Sequence, residues 1–348
     1  MIPVDAWAIH DQRGTAGAWS FERRDVGAQD VRIAIDFCGI CHSDVHFAQG
    51  DWGAVQYPVV PGHEIVGRVV EVGSGVTDLA AGDTVAVGCL VDSCRQCASC
   101  GAGLEQYCDT GWTGTYAGIE KETGRQTYGG YSSGIVVDRH FVLRLPATLD
   151  PAGAAPLLCA GITTYSPLRH WKVGRGTRVG VVGLGGLGHM AVKLAAAMGA
   201  EVTMFTTTPE KAKDAARLGA SRVVLSRDPE QLRAASHSLD LILDTVSAPH
   251  DLTPYLETLY RDGTHVLLGA DARPFPGVSP FSMLMRRRSI GASLIGGIAE
   301  TQEMLDFCAT HGIVADVEVI EPAGVEAAWK RMLASDVKYR FVIDMRRL

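Results

Sequence analysis

The six residues Gly183-Leu184-Gly185-Gly186-Leu187-Gly188 constrain the fold of this chain more than any other segment. They fit the spacing G-x-G-x-x-G, which is weak evidence alone and strong only between a strand and a helix. That context is present. Residues 178–182 are a short apolar run that reads as a buried strand, and a helix is predicted from about 187 to 198, ended by Gly199. A strand turning through glycine into a helix presents free backbone N–H groups and a partial positive charge at one point, where a pyrophosphate can bind. The alternation continues, with predicted strands at 201–205, 239–244 and 265–268. A helix is predicted at 209–218, with Pro209 near its first turn and Gly219 past its end. Strands alternating with helices imply an α/β unit with a doubly wound parallel sheet, a Rossmann domain.

The first 150 or so residues have a different pattern. Val31, Ile33, Ile35 and Phe37 alternate with Arg32, Ala34 and Asp36, as in a half-buried strand, and Gly39 is expected to supply the turn that ends it. Strands are also predicted at 65–72, closed by Gly73-Ser74-Gly75, and at 84–87. This is a β-rich pattern. The tail predicts a helix around 301–310 and a last strand at 339–344. A chain of 348 residues is long for one core, so two domains are expected.

The formal charge of −7 argues against nucleic acid as a partner, because phosphate binding needs a surplus of Lys and Arg. The basic cluster Arg286-Arg287-Arg288 is expected to be a solvated turn. The start of the chain lacks a secretory-signal pattern, and no stretch approaches the ~20 apolar residues of a membrane span. A cytoplasmic location is therefore expected, with the nine cysteines as thiols or metal ligands rather than disulfides.

Cys94, Cys97, Cys100 and Cys108 form C-x2-C-x2-C-x7-C. Four thiolates so spaced can surround one zinc ion at ~2.3 Å and leave no position for water, which makes a structural site. An iron–sulfur cluster also takes four thiolates. Cys41, His63 and Cys159 each have an ordinary reading as a buried residue, and their spacing is not a local zinc pattern. The strand at 201–205 ends in Thr206-Thr207-Thr208, with no acid at that end and Lys211 shortly after. An NAD enzyme usually has Asp or Glu here, on the ribose 2′-OH. Hydroxyls and a lysine suit a 2′-phosphate, so NADP(H) is the expected cofactor.

The stretches Gly39-x-Cys41-x-Ser43-Asp44 and Gly62-His63-Glu64, the four-cysteine lobe and the glycine hexad occur in the order seen in zinc-containing medium-chain dehydrogenases, which the whole chain resembles. Asp244-Thr245-Val246-Ser247-Ala248, Glu300-Thr301-Gln302-Glu303-Met304-Leu305 and Tyr339-Arg340-Phe341-Val342-Ile343-Asp344 resemble the cinnamyl alcohol dehydrogenase branch, which includes broad-specificity aldehyde reductases. The resemblance implies a GroES-like catalytic domain over 1–155, a Rossmann NADP-binding domain over 156–295, and a tail, 296–348, returning to the first.

It implies further that Cys41, His63 and Cys159 hold a catalytic zinc, with water or Glu64 in the fourth position, and that the lobe holds a second zinc. Asp44 would orient His63. Ser43 and His46 would carry the proton between substrate and solvent. For the cofactor the resemblance implies contacts from His42, Thr163, Leu187 and Arg340, beside Gly183, Gly185, Gly186 and Gly188. It places Leu90, Trp112 and Ile295 at the substrate, an apolar wall suited to medium-chain or aromatic aldehydes. Relatives are commonly homodimers, paired through the cofactor-domain sheet. The rival readings are an NAD-dependent polyol dehydrogenase, a zinc-free quinone reductase of the same fold, and a non-catalytic nucleotide-binding relative.

Overall fold

The structure is a computed structural model that describes every residue except Ala272. It divides into two compact units, Met1–Ile162 with Gly296–Leu348, and Thr163–Ile295. The first crossing falls inside the helix Ala160–His170, later than the expected border after residue 155. The strands in chain order are β1 (Ile2–Ile9), β2 (Ala16–Arg23), β3 (Asp30–Ile40), β4 (Ile65–Val72), β5 (Thr84–Val87), β6 (Leu90–Asp92), β7 (Thr113–Gly114), β8 (Gly134–Asp138) and β9 (Leu143–Arg144). They continue as β10 (Arg178–Val182), β11 (Glu201–Thr206), β12 (Arg222–Leu225), β13 (Leu239–Asp244), β14 (Leu259–Leu267), β15 (Ser289–Ala292), β16 (Val317–Ile320) and β17 (Arg340–Asp344).

In the first unit, β3 is the centre of a sheet ordered β16-β17-β3-β4-β5-β9, with β8 also paired to β3. Val31, Ile33 and Ile35 are buried, as their alternation requires. Two two-stranded antiparallel sheets, β1–β2 and β6–β7, complete the strands. The turns Pro151–Ala154 and Ala155–Leu158 pack on β3, β4, β5 and β17, and this packing keeps Cys159 with the first unit.

Two expectations for this unit change. Gly39 does not end β3, which runs on to Ile40 and pairs Gly39 with Val342 of β17. Glycine is needed there for space instead, because a Cβ would collide with the Glu64 carboxylate. The region is also not all strand and turn, since the helix His42–Gln49 follows β3 directly. A reciprocal cap between Cys41 and Asp44 starts it, and Gly50 ends it in the left-handed region at φ 77°. Its weak apolar periodicity hid it in the sequence.

The second unit is a six-stranded parallel sheet ordered β12-β11-β10-β13-β14-β15. This is the order of a dinucleotide-binding sheet, whose ligands bind beyond the carboxyl ends of the strands where the winding reverses, here between β10 and β13. Val182, Phe205, Leu239, Ile242 and Leu256 are among the residues of its core. The helix after the hexad is Gly186–Ala197, and the next is Lys211–Leu218, so Pro209 stands in the turn before it. β14 begins at Leu259, earlier than expected. Of the basic cluster, Arg288 is not solvated: it is buried and donates to the carbonyls of Leu259 and Ser282. Carbonyl oxygens take the place of water around its guanidinium.

Candidate active site and metal centres

The first unit brings Cys41, His63, Glu64 and Cys159 together, with one ligand atom from each within 4.8 Å of all the others. β3 delivers Cys41 to the N-terminus of the helix His42–Gln49, where the Asp44 carboxylate returns to accept the Cys41 N–H at 2.8 Å. Asp44 is fully buried and also accepts the N–H of Gly62 at 3.1 Å and the hydroxyl of Tyr131 at 3.1 Å. Its Oδ1 stands 3.7 Å from His63 Nδ1, a charge contact rather than a formed hydrogen bond. The opposite ring nitrogen, Nε2, is buried with no hydrogen-bond partner, and Tyr116 stacks on the ring at 5.6 Å.

These groups fit a metal ion. The sulfurs of Cys41 and Cys159 lie 3.9 Å apart. Two thiolates on one tetrahedral zinc, each ~2.3 Å from it, stand about 3.8 Å apart. A buried ring nitrogen without a partner is a costly arrangement that a metal would relieve. Glu64 is the fourth group. One carboxylate oxygen accepts from the Arg340 guanidinium, and the other is buried without a partner. Burial pushes its carboxyl up to about 7, although Arg340 beside it acts in the opposite direction.

Ser43 holds its hydroxyl 2.9 Å from the Cys41 sulfur. His46, on the next turn, places Nδ1 2.8 Å from Asp51 and stacks on Trp52 at 5.1 Å. The sequence reading missed Asp51, whose signal was its position just past a helix that was itself missed. His42 is exposed on the first turn of that helix. Arg340 opens β17 and is buried against Glu64.

The four-cysteine lobe also gathers its sulfurs within 4.8 Å, with Cys94 and Cys100 3.9 Å apart. Backbone amides point at the sulfurs. Cys97 N donates to Cys94 at 3.3 Å, Cys100 N to Cys97 at 3.4 Å and Cys94 N to Cys108 at 3.3 Å. The Thr110 hydroxyl and the Cys94 N–H hold the Cys108 thiol down to about 6. This is a thiolate nest that fits zinc. Within the lobe, Glu105 accepts the N–H of Ile298 at 3.1 Å and so caps the helix Ile298–His311. Leu90 pairs with Gly114 across β6–β7, and Trp112 directly precedes β7 with its ring beside Gly114. Ile295 belongs to the second unit and is buried.

In the second unit the glycines divide the work. Gly183 turns at φ 90°. A Cβ on Gly188 would strike the Gly183 carbonyl oxygen, so this glycine permits the helix to pack on the strand. A Cβ on Gly185 would meet nothing within 4 Å, which leaves that face open for a ligand. Gly186 begins the helix and Leu187 is half-buried in its first turn. The Thr245 hydroxyl, also missed in the sequence, ties the loop by donating to Val182 O at 2.8 Å. Thr206 is buried at the end of β11, and its hydroxyl accepts the Thr208 N–H at 3.2 Å. Thr207 is exposed and Thr208 half-buried. Lys211 reaches back to the glycine loop, donating to Leu184 O at 3.1 Å. Thr163 is buried in the helix Ala160–His170.

Comparison with known proteins agrees with this architecture. Residues 27–147 match the alcohol dehydrogenase GroES-like domain, and residues 186–310 match the zinc-binding dehydrogenase family. The chain is 54% identical to NADP-dependent alcohol dehydrogenase C 1 of Mycolicibacterium smegmatis, over 99% of this chain and 98% of that protein. It is 55% identical to the aldehyde reductase YahK of Escherichia coli, over 94% and 93%. It superposes on the cinnamyl alcohol dehydrogenase of Helicobacter pylori, solved with NADP(H), with a TM-score of 0.93 at 41% identity over 99% of both chains. Two thiolate-bearing clusters, a glycine loop on a parallel sheet and these matches over nearly the whole length agree, and the chain belongs to the zinc-binding alcohol dehydrogenase family.

Proposed function

We propose that the protein is an NADP(H)-dependent zinc alcohol dehydrogenase that reduces medium-chain or aromatic aldehydes to primary alcohols. The observation that carries this reading is the open cluster of Cys41, His63 and Cys159, with Glu64 beside it, in a chain that also has the glycine loop. A zinc ion held by those three residues would supply Lewis-acid polarisation of the carbonyl oxygen, and bound NADPH would supply the hydride. A second zinc on Cys94, Cys97, Cys100 and Cys108 would be structural.

The chain's own residues do the rest. Asp44 orients the His63 ring by facing Nδ1, which leaves Nε2 to ligate. Glu64, paired with Arg340, keeps a second carboxylate oxygen available beside the metal position. The Ser43 hydroxyl delivers the proton to the substrate oxygen. His46, with Nδ1 on Asp51, exchanges that proton with water. Leu90 and Trp112 form the apolar side of the substrate site. Gly183, Gly185, Gly186 and Gly188 cradle the pyrophosphate. Thr163 and Leu187 border the nicotinamide. Thr206, Thr207, Thr208 and Lys211 accept the 2′-phosphate, where an NAD-dependent polyol dehydrogenase would need an acid.

We also propose a homodimer through the free edge of β15. Phe281, Leu284 and Met285, in the segment that leads into β15, are 72%, 72% and 74% exposed, and Ile290 and Leu294 are exposed as well. Such a patch on a sheet edge calls for a partner. None of the nine cysteines forms a disulfide, which suits a reducing compartment such as the cytoplasm. No helix among the described residues is long and apolar enough to cross a membrane. The test is metal dependence: a chelator that removes one zinc equivalent should abolish NADPH-dependent aldehyde reduction, and zinc should restore it. Full activity in metal-free protein would refute the reading.

A further inference from the structure

Residues 60–64, which carry His63, belong to no helix or strand. Something else must fix them. The segment Gly129-Gly130-Tyr131 runs alongside. Gly129 N donates to Val60 O at 2.7 Å, Gly130 N to Gly62 O at 2.8 Å and Tyr131 N to Pro61 O at 3.0 Å. The Tyr131 side chain is fully buried. Its ring presses on Gly62, where a Cβ would stand 2.7 Å from Cδ1. Its hydroxyl crosses to the helix His42–Gln49 and donates to Asp44 Oδ2 at 3.1 Å. Asp44 Oδ1 faces His63 Nδ1 at 3.7 Å and also accepts the Gly62 N–H at 3.1 Å. Tyr131 therefore touches the backbone before His63, the adjoining glycine and the carboxylate that turns the imidazole.

We propose that Tyr131 is a positioning residue for the catalytic metal. It holds His63 in its ligating orientation through Asp44 and Gly62, and so sets how slowly the Cys41–His63–Cys159 centre releases zinc. The inference rests on the ligand assignment made under Proposed function. Outer partners of metal ligands change affinity by about 10- to 100-fold. Tyr131 acts one contact further out, so the lower end applies. Removal of a buried tyrosine hydroxyl that merely satisfied its hydrogen bond would lower stability without favouring release from one metal site over the other.

The experiment follows transfer of zinc from the intact holoenzyme to a chromogenic chelator, in wild type, Tyr131→Phe, Asp44→Asn and the double variant. Cys159→Ser identifies the phase that belongs to the catalytic site. Tyr131→Phe is expected to speed release of that equivalent about tenfold and to leave the equivalent in the four-cysteine lobe unchanged. On the Asp44→Asn background it should add little, because both changes act through one contact. The visible spectrum of enzyme with cobalt at the catalytic site should shift in Tyr131→Phe. Unchanged release overturns the proposal. So does equal acceleration of both equivalents, or failure of Tyr131→Phe to fold, because either makes Tyr131 a general structural residue. If Cys159→Ser still holds two zincs, the ligand assignment itself falls, a failure distinguishable from that of Tyr131.

Discussion

Two alanine substitutions in the glycine loop should have opposite effects. A Cβ at Gly188 would collide with the Gly183 carbonyl oxygen and stand 3.2 Å from Thr245 Oγ1. The colliding atom is backbone, so it cannot swing aside. Overpacking of this kind costs about 1–3 kcal/mol, and a rigid obstacle puts it near the top of that range. Alanine in a helix returns about 1 kcal/mol over glycine. The net loss is therefore about 2 kcal/mol, or about 3 °C in Tm for a chain of 348 residues.

Gly185 has extended backbone, at φ −133° and ψ −153°, and open space around its Cβ position. Alanine there gives up some helix capping and gains from a stiffer unfolded chain, so stability should stay within about 1 kcal/mol. The new methyl instead meets the pyrophosphate. The same ~1–3 kcal/mol then appears as about 5- to 150-fold weaker NADPH binding. Thermal unfolding without cofactor gives the first quantity, and NADPH fluorescence titration gives the second. A Gly185→Ala protein that binds NADPH like wild type would refute the placement of the pyrophosphate. A Gly188→Ala protein with unchanged Tm would refute the packing account.

Cys159→Ser should lose one zinc equivalent, and aldehyde reduction should fall by at least ~10³-fold, the scale of several kcal/mol of charge stabilisation. Cys97→Ser should keep the catalytic metal and lose stability; retention of both zincs in either variant, by metal analysis, would count against its site. Ser43→Ala should cut kcat by roughly 10²-fold, and an unchanged rate would remove Ser43 from the proton path. Asp244 Oδ2 accepts from His250 and His265, both at 2.9 Å, and the bond to Asp244 raises His250 above its ordinary 6.5. Hydrogen bonds from the two histidines hold the Asp244 carboxyl low in spite of its burial. The pair therefore stabilises the fold fully between the ordinary carboxylate pKa and the ordinary histidine pKa; the contribution is lost as pH falls toward the lowered pKa of Asp244 and as pH rises through the raised pKa of His250. The Tm gap between wild type and His250→Gln should be wider at about pH 6 than at about pH 9; a gap that is constant or widens with pH would contradict this.

What could be read beforehand followed from local physics. The strands β4, β5, β10 and β13 are apolar runs bounded by glycine or charge, and the structure has them at the expected bounds. The glycine hexad and the four cysteines are local motifs, so the turn and the sulfur cluster were visible without tertiary knowledge. Cys41, His63 and Cys159 were not, because tertiary folding alone brings together residues so far apart in the chain. Only the family pattern joined them. The helix His42–Gln49 escaped because a capping pair, rather than an apolar stripe, defines it. Asp51, Tyr131 and Thr245 escaped because their roles lie in contacts to partners such as His46, Asp44 and Val182, and no spacing encodes those contacts. Gly39 read as a turn because glycine usually marks one. Here it makes room for a buried carboxylate.

The most direct test of the central claim is the initial rate of cinnamaldehyde reduction by metal-quantified protein, with NADPH and NADH run in parallel. The account predicts two zincs per chain and NADPH-dependent reduction, with kcat/KM for NADPH well above that for NADH. A lower KM with NADH, or no reduction with either cofactor by protein that holds both zincs, would contradict it.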